Sequence, residues 1–277
     1  MNIARVGNCS GYPQTLLLPI NHNHNGKAKL KTAEDRTSQP YLSIVIPAHN
    51  EASRLVGTLE RIRRYAEGHD LAVEVMVVSD ASSDGTPDLA RNFDPGRMTL
   101  NVLASTTSKG KGRTVRRGML AARGQVLLMT DADLATPIEE LDKLLVWLDE
   151  GYDVVIGSRA MKDSVLCPPQ GPLRRFVGWA FRKLRRAMLL PDIRDTQCGF
   201  KCFTRKVADE VFSRQLLDDA AFDCEVLLLA RIGGYRIREV GVAWGHDPDS
   251  RMKLISESFR MLRSLISIRW RLGRGKP

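Results

Sequence analysis

Two carboxylates, Asp131 and Asp133, stand one residue apart where the apolar run Val126-Leu127-Leu128-Met129 stops in the stretch GQVLLMTDADLATP. Like charges that close repel each other, and burying either alone is costly. The remedies are water, a cation or a metal. In an extended segment residues i and i+2 point the same way, so the pair can converge on one oxygen-ligated cation, Mg²⁺ or Mn²⁺. An Asp-x-Asp is common in loops; this one gains weight from the buried strand before it and from basic neighbours. The stretch SKGKGRTVRRG supplies Lys109, Lys111, Arg113, Arg116 and Arg117 around Gly110 and Gly112. Glycines let a backbone approach phosphate closely. The Gly-Lys-Ser/Thr of a Walker loop and the GxGxxG dinucleotide fingerprint are both missing. The residue types suit a metal-bound diphosphate held outside a P-loop.

Such a site needs elements to position it. The β-branched run YLSIVIP, closed by Pro47, reads as a buried strand, and residues 51–66 carry Leu55, Leu59 and Ile62 at helical spacing. VEVMVVSD is a second strand ending in Asp80. A Gly-containing turn then opens a helix, with Thr86 the expected N-cap before Pro87. MTLNVLAS is a third strand, 111–123 a helix, QVLLMTD a fourth strand, 137–150 a helix and YDVVIGSR a fifth strand. This alternation predicts an α/β fold with a largely parallel sheet, whose ligands gather at the carboxyl ends of the strands. His49, Asn50 and Glu51 follow the first strand; Asp80, Ser82 and Asp84 the second; Lys109 and Lys111 the third; Asp131 and Asp133 the fourth; Ser158 and Arg159 the fifth. Asp84-Gly85 alone is ordinary turn chemistry. The recurrence of polar groups at consecutive strand ends is what points to a shared rim.

The chain has 277 residues, 43% hydrophobic and 27% charged, enough for one large domain or two small ones. A formal net charge of +10 predicts attraction to something anionic. Five cysteines without a CxxC pair argue against a disulfide framework or zinc site and suit a reducing cytosol. No apolar stretch approaches the roughly 20 residues of a membrane span. TLLLPI is too short for a signal peptide, and residues 1–40 read as a flexible polar tail in which His22 and His24 are solvated. Residues 41–250 are then expected to form the α/β domain that carries the rim, and 251–277 a basic amphipathic helix.

In the second half, Asp223 and Glu225 open a helix, where the helix dipole favours carboxylates. Ser250, Arg251 and Lys253 stand where a following helix start can hold phosphate oxygens. Residues 173–190 set Phe176, Val177, Phe181 and Leu184 at helical spacing opposite Arg174, Arg175, Arg182, Lys183, Arg185 and Arg186. Residues 251–276 interleave Ile255, Phe259, Leu262, Ile266 and Trp270 with basic groups. Basic amphipathic helices of this kind lie in a membrane interface, each cation adding roughly 1 kcal/mol near an anionic leaflet. Packing of each stripe on the core is the competing reading.

SIVIPAHNE, VVSDASSDGT, KGKG, TDADLATP, GSR and DTQCGFKCFTR occur in this order. Together they resemble family 2 glycosyltransferases of GT-A fold, a Rossmann-like mostly parallel sheet flanked by helices. Within that family the likeness is to dolichyl-phosphate β-glucosyltransferases, beside polyprenyl-phosphate mannose synthases. The resemblance implies that Pro47 and Glu51 border the nucleoside and that Asp80 accepts a hydrogen bond from the uracil ring. Lys111 lies by the nucleotide, Asp131 faces the ribose or the metal's water shell, and Asp133 ligates the metal. Arg159 stands near the sugar or the acceptor phosphate, and His246 contacts metal or phosphate. The family's usual Asp-Asp-Gly-Ser is here Ser79-Asp80-Ala81-Ser82, one carboxylate and one glycine short. An acidic residue near Asp223 is a general base in inverting members; an anionic phosphate acceptor needs none, which leaves Asp223 to orient the reactants.

The implied activity is metal-dependent, inverting transfer of a hexose, glucose from UDP-glucose, to polyprenyl phosphate at the cytoplasmic face of a membrane. A soluble or protein hydroxyl acceptor would instead make Asp223 indispensable as a base. A non-enzymatic binder of nucleic acid or anionic membrane fits the net charge. However, aromatics are only 6%, with no stacking platform among the basic residues, and the acidic pair repels a polyanion. No nucleic-acid partner is therefore expected.

Overall fold

The computed structural model describes residues 39–167, 189–245, 264, 266–268 and 270. The chain divides into two units, Met1–Ser38 and Gln39–Pro277, and the described residues belong to the second. Almost all of the expected N-terminal tail, nearly all of the two basic amphipathic segments, and His246, Ser250, Arg251 and Lys253 lie outside the described residues.

Seven strands form one sheet: β1 (Leu42–Ala48), β2 (Val73–Asp80), β3 (Thr99–Ser105), β4 (Val126–Met129), β5 (Val154–Ser158), β7 (Lys201–Thr204) and β8 (Ile237–Gly241). Their order is β3-β2-β1-β4-β7-β5-β8. β1 pairs in parallel with β2 and β4, and β2 with β3. β7 runs antiparallel to both β4 and β5, and β5 is parallel to β8, so six strands point one way. The expected common rim at the carboxyl ends of the first five strands is present. A separate parallel pair joins β6 (Val165–Cys167) to β9 (Ala243–Gly245).

Both faces of the sheet are covered, as parallel strands require. Leu42, Ile44 and Ile46 of β1, with Val75 and Val77 of β2, point to one layer. That layer holds α1 (Ala52–Gly68), the 3₁₀ turn Ile138–Glu140 and α4 (Leu141–Asp149). Val45, Met76 and Val78 point to the other, with α3 (Lys111–Ala121), α5 (Arg205–Arg214) and α6 (Phe222–Ile232). Each fully buried Val, Leu or Ile contributes about 1.5–3 kcal/mol, which is what fixes the register.

The strand order reverses between β1 and β4, the switch point at which α/β sheets open a crevice. Three non-glycine residues just past strand ends adopt left-handed backbone: Asn50 (φ 55°), Ala81 (φ 52°) and Leu134 (φ 45°). Ala81 occupies the position where the family pattern has glycine. The chain thus keeps the turn and bears the steric cost of a Cβ, about 1–2 kcal/mol.

The helix α2 (Thr86–Arg91) begins one residue earlier than the sequence suggests. Gly85, not Thr86, precedes it, and the Asp84 carboxylate accepts the Thr86 N–H at 3.1 Å. Its other oxygen accepts the Ala52 N–H at the start of α1 at 3.0 Å. Asp84 is therefore a cap that ties two helix starts together, while Thr86 Oγ1 accepts the Glu51 N–H at 2.9 Å.

Candidate active site

β4 ends as Thr130 N–H donates to Val45 O at 3.1 Å, and the chain then leaves the sheet. The Asp131 carboxylate lies against Gly199, where a Cβ would fall 2.0 Å from Oδ2. Lys111 Nζ donates to Asp131 Oδ1 at 2.6 Å, with both side chains more than a third exposed. Lys111 opens α3, whose first turn holds no acid. A cation there opposes the helix dipole, so helix stability does not explain it; the Asp131 carboxylate does. Burial pushes the Asp131 carboxyl up, but Lys111, helped by Lys201 and Arg159, outweighs it and holds it below the usual value. Lys111 is held above its usual value against burial, by Asp131 and then Asp223.

Asp133 is less satisfied. Its Oδ1 accepts the Ala135 N–H at 3.0 Å, and Arg54 Nη1 stands 4.0 Å from Oδ2. Burial first, then Asp131, raises its carboxyl. Glu51 is raised by burial and by Asp133, Asp131 and Asp84, with Arg54 opposing. Glu51 Oε2 is buried with no hydrogen-bond partner, its nearest ion-pair contact being Arg54 Nε at 3.7 Å. A cavity of about 570 Å³ opens on Asp133, lined by Arg54, Thr58, Arg61, Leu134 and Ala135 among others.

These oxygens fit a hard divalent cation. Asp133, raised by burial and then by Asp131, lines the cavity, and carboxylate oxygen is the donor such ions take. Among the described residues no group of three or more His, Cys, Asp or Glu is disposed to hold a metal ion. The fit is to an ion bound by one or two carboxylates and completed by substrate phosphate, the usual arrangement for Mg²⁺.

On the β2 side, Pro47 is half-buried within β1. Asp80 is 8% exposed and already engaged: it accepts Ser108 Oγ at 2.8 Å, Lys109 N–H at 3.0 Å and Gly110 N–H at 3.2 Å. His49 Nδ1 lies 2.5 Å from the Asp80 carbonyl. The loop after β3 is thereby folded onto Asp80.

The glycines of KGKG, expected to let the backbone approach phosphate, also meet a packing demand. A Cβ on Gly110 would fall 2.4 Å from Asp218 O, and one on Gly112 2.5 Å from Leu217 O. Gly112 N–H donates to Asp218 O at 2.8 Å. The glycines admit the 217–219 turn. Arg116 donates to the carbonyls of Phe212 and Ser213, and Arg113 faces Asp218 at 3.8 Å. Of the basic stretch, Lys111 is the residue that reaches the acidic pair.

Two further expected residues are locked. Arg159 forks onto Asp195, Nε to Oδ2 at 2.7 Å and Nη2 to Oδ1 at 2.9 Å, and its guanidinium lies 5.4 Å from the Trp244 ring. Asp195 is in turn set by Glu239, which accepts the Arg194 and Asp195 N–H groups. Asp223 accepts a hydrogen bond from Lys201 Nζ at 2.5 Å, and Lys201 is fully buried. Glu225 accepts the N–H groups of Leu216 and Leu217 and holds that turn. Asp195, Gly199 and Lys201 lie within DTQCGFKCFTR, where the motif alone does not single them out. The signal available was a lysine inside the apolar run Phe200–Phe203.

A sequence model described as Glycosyl transferase family 2 matches residues 43–212. A dolichyl-phosphate beta-glucosyltransferase of Trichomonas vaginalis is 35% identical over 242 residues, 83% of this chain and 71% of that protein. The Drosophila melanogaster protein of the same description is 36% identical over 82% of this chain and 74% of its own length. The Homo sapiens one is 30% identical over 92% and 85%. Among solved structures, mannosyl-3-phosphoglycerate synthase from Rubrobacter xylanophilus aligns with a TM-score of 0.64 at 20% identity, covering 85% of this chain and 75% of that one. Glucosyl-3-phosphoglycerate synthase from Mycobacterium tuberculosis, in complex with Mn²⁺, uridine diphosphate and glucosyl-3-phosphoglycerate, aligns at 0.62 and 19% identity, covering 88% and 83%. At such identity the structural likeness concerns the fold.

Proposed function

This chain belongs to glycosyl transferase family 2, and from that premise we propose that it moves glucose from UDP-glucose to a polyprenyl phosphate. The observation that carries the reading is the acidic pair at the strand switch point, with Lys111 on Asp131 and an open cavity at the less satisfied Asp133. The names of the relatives support a dolichyl phosphate acceptor and glucose. The Mn²⁺ and uridine diphosphate in the fold relative support a divalent ion, Mg²⁺ or Mn²⁺, and a uridine nucleotide.

Asp133 would ligate the ion, Asp131 would face it or the ribose, and His246 would complete the site. When bound, the ion neutralises charge on the diphosphate leaving group. The remaining work falls to the chain. Pro47, Glu51 and Asp80 border the nucleoside, and the uracil N–H shares Asp80 with the Ser108–Gly110 donors. Lys111, half-exposed, exchanges from Asp131 to the nucleotide. Arg159, fixed by Asp195, serves the sugar or acceptor phosphate with its remaining N–H groups, and Ser250, Arg251 and Lys253 serve phosphate oxygens. Asp223, fixed by Lys201, orients the donor sugar.

The attacking phosphate is anionic at neutral pH, so no base is needed to free a lone pair. Attack from the face opposite the leaving group gives the β-linked product. No helix among the described residues is long and apolar enough to cross a membrane. The net charge and basic amphipathic segments support peripheral docking on an anionic leaflet. The buried thiols Cys198, Cys202 and Cys224 suit the cytoplasmic side.

A panel of radiolabelled UDP-glucose, UDP-galactose and GDP-mannose, offered with polyprenyl phosphate with and without chelator, tests the whole reading. Organic-extractable label from UDP-glucose, abolished by chelator, is the expected result. Label that stays aqueous, or a preference for GDP-mannose, contradicts it. Sedimentation with anionic liposomes, reversed by high salt, tests the membrane surface.

A further inference from the structure

Lys201 is the most unusual side chain in the sheet. It stands on the antiparallel strand β7, opposite Met129 of β4 and Ile156 of β5, with no exposure to solvent. Its ammonium donates to Asp223 Oδ1 and to the Cys198 carbonyl, both at 2.5 Å. Burying a lysine and an aspartate is costly, and apolar replacement of such a pair is often neutral or stabilising. Fold stability is therefore a poor reason for this pair, and its location suggests another.

The Cys198 carbonyl that Lys201 pins is followed by Gly199, and Gly199 is the wall behind Asp131. The three atoms nearest a Cβ at position 199 all belong to Asp131: Oδ2 at 2.0 Å, Cγ at 2.6 Å and Oδ1 at 2.9 Å. Gly199 does not occupy the left-handed region, so its backbone alone would accept alanine. What excludes a side chain is the carboxylate. Lys201 also tends to hold Asp131 in its charged form at longer range.

We propose that Cys198–Lys201 is the seat of Asp131, with Gly199 and Lys201 acting as positioning residues for nucleotide binding that touch no substrate. The inference rests on the reading above, in which the acidic pair serves a cation-bound uridine diphosphate. Two cations share the work. Lys111 is 39% exposed at its side chain and free to exchange onto phosphate; Lys201 is enclosed and cannot leave. When the nucleotide draws Lys111 away, Asp131 keeps its place because the glycine wall and the pinned carbonyl remain.

The test uses the full chain and two variants, Gly199→Ala and the double variant Lys201→Met/Asp223→Leu, which removes both buried charges together. Binding of Mn²⁺ in the presence of UDP is read from loss of the free-Mn²⁺ paramagnetic resonance signal, UDP affinity by calorimetry, and folding by thermal midpoint. UDP lacks the sugar, so loss of Asp223 does not itself remove a ligand contact. Both variants are expected to fold and to bind Mn²⁺ and UDP at least tenfold more weakly. Gly68→Ala, where a Cβ meets nothing within 4 Å, is the control and binds as wild type.

If Gly199→Ala lowers the midpoint, Gly199→Ala/Asp131→Ala restores it, because the clash is with Asp131; failure to restore it overturns the proposal. Variants that fold and bind like wild type overturn the inference and leave the proposed function standing. A wild-type chain that binds neither Mn²⁺ nor UDP overturns both.

Discussion

Glu74 at one end of the sheet, and Glu51 and Asp133 at the other, are treated in opposite ways. At the amino end, Glu74 is fully buried and fully answered. It accepts Ser43 Oγ at 2.6 Å, the Arg123 N–H at 2.7 Å, Arg123 Nε at 3.1 Å and Asn101 Nδ2 at 3.2 Å. At the carboxyl end, Glu51 has an orphaned buried oxygen, Glu51 and Asp133 are both pushed upward, and the turns run through left-handed Asn50, Ala81 and Leu134. Buried acids that only support a fold are satisfied by it. Acids and backbone left in unfavourable states are what functional sites accumulate.

The sharpest way to break this comparison is to neutralise one acid at each end. Asp133→Asn should lower sugar transfer by about a hundredfold or more, since the metal charge it would hold contributes several kcal/mol. Its thermal midpoint should not fall. Glu74→Ala should do the reverse. It strands buried donors at about 1–3 kcal/mol each, so denaturant unfolding should show a loss of about 2–3 kcal/mol, with UDP affinity unchanged. A stability loss in the first variant or a binding loss in the second would erase the distinction.

A pH series sharpens it. Glu51 is raised above its ordinary 4.5 in the folded chain, burial being the main cause. The folded state then holds that proton more tightly than the unfolded state, and stability falls as pH rises through the interval above 4.5. Glu51→Gln should raise the midpoint by roughly 1–3 °C at pH 7. The gain should vanish below about pH 4, where the wild-type group is protonated in both states. Ala81→Gly should give the smallest effect. Relief of the left-handed strain exceeds the added chain entropy of glycine by about 0.5 kcal/mol, measurable by denaturant titration.

Most of the rim was legible in the sequence, because β-branched runs ending in polar residues mark parallel strands and their carboxyl ends. What the sequence hid depended on distant partners. That Gly110 and Gly112 also admit the 217–219 turn depends on residues about a hundred positions away. Asp84 looks like a turn residue or a ligand and is a cap for two helices at once. β7 is only Lys201–Thr204, and its buried lysine interrupts the apolar signature that revealed the first five strands. Arg159 and Asp223 were found at their strand end and helix start, while the groups that immobilise them, Asp195 and Lys201, belong to a segment whose periodicity says nothing.

The central claim is that the pair closing β4 grips a divalent ion against a uridine diphosphate. Crystals grown with UDP and Mn²⁺ test it through the anomalous signal of manganese. The account predicts a peak at direct ligating distance from an Asp133 carboxylate oxygen, with diphosphate density beside it and Lys111 moved off Asp131. Bound nucleotide with no manganese peak beside Asp133, or with Lys111 still on Asp131 and the diphosphate elsewhere, would contradict it.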